Sequence, residues 1–170
     1  MMMRSILRLR DDQRGASIIE LALTAPFLAA LVIGITDLAR AYSYKLLLEQ
    51  LAARTIERVE QQRSVSTSSY NSSLVTEAQN AMSDAGYPDT TASHYTADSW
   101  VECAPSATST TWTKTTDFTT DCATATDIQA RYASIKITES FTPMFPSRMW
   151  PNADAQGNIT VTGYAEVRMQ

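Results

Sequence analysis

The chain predicts an α+β protein in which a long N-terminal transmembrane helix continues into a small domain with a short helix and a C-terminal antiparallel β-sheet. Three observations carry this expectation. Ile18–Thr36 is an apolar run with one charge, Glu20. Apolar residues then recur at three- and four-residue intervals, or close multiples, as far as Val59. Toward the C-terminus the spacing changes to alternation over two segments, the period of half-buried strands.

The apolar run IIELALTAPFLAALVIGIT is about the length that crosses a bilayer core of roughly 30 Å. A buried helix of a soluble core is disfavoured, because the run is apolar all round and follows Arg4, Arg8, Arg10 and Arg14. Those arginines would keep the N-terminus cytoplasmic and place residues beyond Thr36 outside, in a single-pass topology. Pro26 lies inside the run and removes one backbone donor, which membrane helices tolerate where neighbours satisfy the freed carbonyl. Beyond the run, Leu38, Ala41, Tyr42, Leu48, Ala52, Ile56 and Val59 form one apolar face among charged residues. A helix from about Ala16 to Arg63 would be roughly 70 Å long.

The polar stretch 64–73, SVSTSSYNSS, reads as a loop, followed by a short helix over about Ser73–Ala85. Gly86 supplies its left-handed cap, with Pro88 just beyond. Residues 104–126 are rich in Ser and Thr and read as loop, with one weak strand around Trp112. In Tyr132–Phe141 the residues Ala133, Ile135, Ile137 and Phe141 share one face. In Asn158–Arg168 the corresponding set is Ile159, Val161, Ala165 and Val167. The connection 142–157 contains three prolines and excludes a tight hairpin. The expected organisation is therefore a leader at 1–15, a membrane and amphipathic helix at 16–63, and an extracytoplasmic domain at 64–170.

Composition excludes several functions. The 170 residues carry a net charge of −4, with 14 basic and 18 acidic side chains. Without the leader's four arginines and two aspartates, ten basic face sixteen acidic groups. No basic stripe is left for nucleic acid. The two cysteines, Cys103 and Cys122, allow one intrachain pairing, and in an exported domain a disulfide is expected. A four-thiolate zinc site is impossible, and the lone His94 leaves too few nitrogen or sulfur ligands, so no metal or other cofactor is expected. His94 sits in a polar stretch, ASHYTADSW, and reads as a surface residue. No G-x-S-x-G motif or phosphate-binding glycine loop is present, so neither an enzyme nor a small-molecule substrate is expected. Trp100, Trp112 and Trp150 read as core or interface anchors.

The informative motif is RGASIIEL, residues 14–21. A glycine follows a basic leader, the apolar run starts at once, and a lone acid sits at the fifth position beyond Gly15. A carboxylate within a membrane core is unfavourable by a few kcal/mol at the centre and less near the ends. A cation would stabilise it. Cleavage after Gly15 would create one, the α-amine of Ala16, about one helical turn from Glu20 or available between staggered subunits.

This pattern resembles a type IV prepilin cleavage site, and specifically the TadE-like pseudopilins of tight-adherence (Tad, type IVc) pilus systems. Glu20 to Pro26, the continuation GITDLARAYSYKLLLEQLAARTIERV, and the final ITVTGYAEVRM all look similar to that family. The resemblance covers about residues 1–60 well and the remainder loosely. Leu21 stands where major Tad pilins usually have tyrosine, and the chain is longer than those pilins, which points to a minor subunit. The resemblance implies cleavage between Gly15 and Ala16 by a prepilin peptidase, a role for Glu20 in assembly, and a structural protein whose partners are pilin and pseudopilin subunits and inner-membrane lipid. Asp37 and Arg40 align with a recurring acid and arginine; ordinary interfacial charge is the competing explanation. Two alternatives stand for the whole N-terminus. One is a secretory signal peptide cut at Ala39-Arg40-Ala41. The other is an uncleaved bitopic anchor for an extracytoplasmic envelope protein.

Overall fold

The computed structural model describes residues 14–61, 67–116, 118–124, 126–144 and 150–169, so residues 1–13 of the leader expected at 1–15 lie outside the described residues. Helix α1 spans Arg14–Glu60, and α2 spans Thr67–Asp84. A short 3-10 turn, Ala92–His94, leads into β1 (Tyr95–Ala104), followed by β2 (Thr113–Thr115), β3 (Ile128–Phe141) and β4 (Ile159–Met169). The strands form one antiparallel sheet in the order β2-β1-β3-β4, so the architecture is α+β.

Both helices cover one face of the sheet, α1 over β4 and β3, α2 over β1. Period two brings Ala133, Ile135, Ile137 and Phe141 of β3 to that face, together with Tyr95 of β1 and Val161 of β4. Leu48, Ala52, Ile56 and Val59 of α1 and Tyr70, Leu74, Ala78 and Met82 of α2 meet them, all buried. The apolar face expected on α1 is therefore real from Leu48 onward, whereas Leu38 and Tyr42 are 61% and 62% exposed. Arg58 Nη1 reaches Glu77 Oε1 at 2.6 Å and ties the two helices.

Gly163 fixes how closely α1 can lie on β4. A Cβ there would stand 2.6 Å from Leu48 Cβ and collide with the Leu48 backbone carbonyl. Glycine is required at this position by the close approach.

Helix α1 is described through Glu60, and its expected end near Arg63 lies outside the described residues. Two sequence expectations need correction. Part of the expected 64–73 loop is helical, because α2 starts at Thr67. Ser, Thr and Asn are weak helix formers that favour caps and turns. Here Tyr70, Leu74 and Ala78 make a buried stripe at four-residue spacing that outweighs them. Ser73 and Thr76 donate their hydroxyls to the carbonyls of Ser69 and Ser72, which satisfies them within the helix. Finally, the polar stretch around His94 contains the start of β1, a central strand paired on both edges. Its inner-face residues include Ala97 and Ser99, too weakly apolar to display a period-two signal. Gly86 does cap α2 as expected, with φ 85° and the Tyr87 amide donating to the Met82 carbonyl at 2.9 Å.

On the opposite face Trp100 is buried, stacked on its cross-strand partner Tyr132 at 5.4 Å, with Lys114 Nζ 3.8 Å from the ring centre. Trp112 is 38% exposed and contributes nothing to the core. Cys103 at the end of β1 and Cys122 in the β2–β3 connection are disulfide-bonded, with Cα atoms 5.7 Å apart. Closing a loop of this size stabilises a fold by roughly 3 kcal/mol on the chain-entropy model. Cys103→Ser with Cys122→Ser is expected to lower stability by about that amount in denaturant titrations. Mass spectrometry of unreduced protein should yield one linked peptide pair; labelling of both thiols in the folded, exported protein would contradict the bridge.

Candidate functional site

Gly15 and Ala16 lie in the first turn of α1, and Glu20 follows Ala16 by about one turn. Helical geometry thus brings these three together, while Cys103 and Cys122 belong to the sheet end of the domain. The Glu20 carboxylate is exposed and meets no cation among the described residues. Around it Ile18, Leu21, Leu23, Phe27 and Val32 are each more than 60% exposed. With Ile19, Leu28, Leu31 and Ile35, each at least 50% exposed, they surround the axis at 100° per residue. None of the most apolar window is buried against the protein. Such a surface is stable only among lipid tails or other apolar helices, which makes this a membrane-anchored protein.

The helix continues through Pro26, although that residue has no amide to offer the carbonyl one turn earlier. Thr24 donates its hydroxyl to the Glu20 carbonyl at 3.0 Å, and Thr36 donates to that of Val32 at 2.8 Å. Both hydroxyls are therefore satisfied within the helix, as an apolar solvent requires.

Asp37 and Arg40 mark the junction with the domain. Asp37 is fully buried, with Arg40 Nη1 3.4 Å from its Oδ1. The Arg40 guanidinium lies 5.3 Å from the centre of the Phe141 ring, at the end of β3. Asp37 is thus packed within the protein and is not an ordinary hydrated interfacial charge. Next to the pair, a groove of about 850 Å³ runs between Ile35, Arg40, Tyr44 and Leu47 of α1 and Tyr87 and Phe141 of the domain. Tyr44 and Tyr87 line it together, with ring centres 5.3 Å apart.

Beside Tyr44 the fold assembles a cluster that sequence reasoning missed. Asp89 follows the α2 cap, His94 ends the 3-10 turn, and Glu139 is near the end of β3. His94 Nδ1 is 2.6 Å from Asp89 Oδ2 and 3.6 Å from Glu139 Oε1. The Thr91 amide donates to Asp89 Oδ1 at 2.9 Å, and the Tyr95 hydroxyl donates to the Asp89 carbonyl at 3.1 Å, which orients the turn. Burial, then the neighbouring Asp89, pushes the Glu139 carboxyl up. Burial also acts upward on Asp89, but hydrogen bonds from Thr91, Glu139 and His94 outweigh it and hold that carboxyl down at about 2. Burial, then the charge of Glu139, raises the Tyr44 phenol to about 12. His94 is accordingly not a plain surface residue. One signal was available in the sequence: Glu139 occupies the face on which Ala133, Ile135, Ile137 and Phe141 alternate, and so breaks an apolar pattern.

The family model described as TadE-like protein matches residues 15–57. No curated protein and no solved structure gives a significant match to the chain. The matched segment coincides with almost all of α1 and contains Gly15, Glu20, Pro26, Asp37 and Arg40. The apolar helix of this protein is therefore similar to the segment that the TadE-like model describes.

Proposed function

We propose that the chain is a pseudopilin or minor pilin for assembly of a Tad-type pilus, anchored in the bacterial inner membrane with its N-terminus cytoplasmic and its domain outside. The observation that carries this reading is a family-matched helix whose apolar surface is left uncovered by its own domain while Glu20 meets no cation among the described residues. In this reading a prepilin peptidase cuts between Gly15 and Ala16. The new α-amine of Ala16 meets the Glu20 carboxylate, within one subunit or across a stagger, and the helix packs among those of other pilin subunits. The domain of helices and sheet rides on the end of that helix. The role is structural, without a catalytic step.

N-terminal sequencing of the protein from its native host tests the processing. The expected first residue is Ala16, and Gly15→Leu should leave a longer, membrane-bound precursor. A mature N-terminus at Tyr42 would identify a signal peptide instead. Retention of Arg4–Arg14 in the wild type would identify an uncleaved anchor.

A further inference from the structure

We propose that Asp89, His94 and Glu139 form a binding site for one divalent transition-metal cation of the zinc type, outside the membrane and independent of the pilus role. One candidate ligand atom from each residue lies within 4.8 Å of the other two. Around a tetrahedral ion with bonds of about 2.0–2.2 Å, ligand atoms stand about 3.4 Å apart. The observed separations of 2.6 Å and 3.6 Å fall on either side of that value. Binding requires the Asp89–His94 pair to open by less than about 1 Å and Nδ1 to be free of a proton.

Charge and burial favour an ion over an empty cluster. The Glu139 side chain is only 12% exposed, and its Oε1 is fully buried without a hydrogen-bond partner. A buried acceptor left unpaired is costly. The carboxyl groups of Asp89 and Glu139 also face one site in a partly desolvated place, and a dication would offset the repulsion between them. Among the described residues, the phenols of Tyr44 and Tyr95 also feel the charges of Asp89 and Glu139, and neither supplies a cation.

The donor set selects the metal. One imidazole nitrogen and two carboxylate oxygens suit Zn²⁺, whereas Ca²⁺ and Mg²⁺ prefer oxygen throughout. Three protein ligands with His94 37% exposed leave room for a water in the fourth position. The Thr91 amide on Asp89 Oδ1 fixes the ligand carboxylate with its other oxygen, Oδ2, toward His94 Nδ1, the arrangement that outer partners of metal ligands provide. The ion would join the turn after α2 to the end of β3, beside α1.

Full-length protein in detergent, purified through a histidine-free tag and stripped with chelator, would be titrated calorimetrically with Zn²⁺, Mn²⁺ and Ca²⁺. One Zn²⁺ per chain is expected, bound more tightly than Mn²⁺ or Ca²⁺. Glu139→Gln and His94→Gln should each weaken it at least tenfold with unchanged circular dichroism. His94 is the chain's single histidine, so its imidazole NMR signals should shift and saturate at one equivalent of Zn²⁺. That readout on wild-type protein stands even if a variant does not fold. Unshifted imidazole signals, unchanged affinity in both folded variants, or preferred binding of Ca²⁺ would overturn the proposal.

Discussion

Gly163→Ala is expected to lose roughly 3 kcal/mol of stability or more, beyond what adding one methyl to a strand would suggest. Overpacking a core typically costs roughly 1–3 kcal/mol, because side chains and backbone must move to admit the extra atoms. Here the added Cβ meets the backbone carbonyl of Leu48 in α1, and no rotamer change can relieve that contact. Either β4 must draw away from α1 or the helix must shift, and both open the core formed by Leu48, Ala52, Ile135 and Val161. The control is Leu48→Ala in the Gly163→Ala background. If the collision were with the outer atoms of the Leu48 side chain, truncating Leu48 would restore stability. Since it is with the backbone and Cβ, which alanine keeps, the double variant should be less stable than either single one. Urea unfolding of the detergent-solubilised protein, followed by Trp fluorescence, measures all four. A midpoint for Gly163→Ala equal to that of wild type would mean that α1 and β4 are not this close.

Much of this fold was legible because its strongest elements have strong periods. The apolar run and the spacing of Leu48, Ala52, Ile56 and Val59 give α1. The alternation of Ala133, Ile135 and Ile137, and of Val161 and Ala165, gives β3 and β4, and Gly86 gives the end of α2. What escaped is where tertiary burial overrides weak local preference. The first turns of α2 are Ser- and Thr-rich, and their helical state depends on burying Tyr70 and Leu74. β1 carries Ala and Ser on its inner face and is held by pairing with β2 and β3. The close approach at Gly163 has no local mark, since its backbone conformation is one that other residues adopt.

The candidate site divides the same way. Gly15, Ala16 and Glu20 are neighbours in sequence, so the motif could be read directly and one helical turn preserves its spacing. Asp37 looked like an interfacial charge because nothing local says that Phe141, more than 100 positions away, brings the end of β3 to Arg40. Asp89, His94 and Glu139 are brought together only when β1 pairs with β3, and β1 was the strand that composition concealed.

Glu20→Gln is expected to have the largest effect on function while leaving the domain intact, since Glu20 is remote from the core. If Glu20 were only a hydrated acid at the membrane edge, removing its charge would be harmless or would ease insertion. If it meets the α-amine of Ala16, the substitution deletes an attraction between charges in a setting of low dielectric. Each loss of about 1.4 kcal/mol is tenfold in an assembly equilibrium. Counting pili by electron microscopy in a strain producing Glu20→Gln, with expression and the Ala16 N-terminus verified, is the most direct test of assembly through this residue. Far fewer pili, with the protein correctly cut but no longer recovered with pilins, is the expected result; wild-type piliation would contradict it and leave a plain membrane anchor.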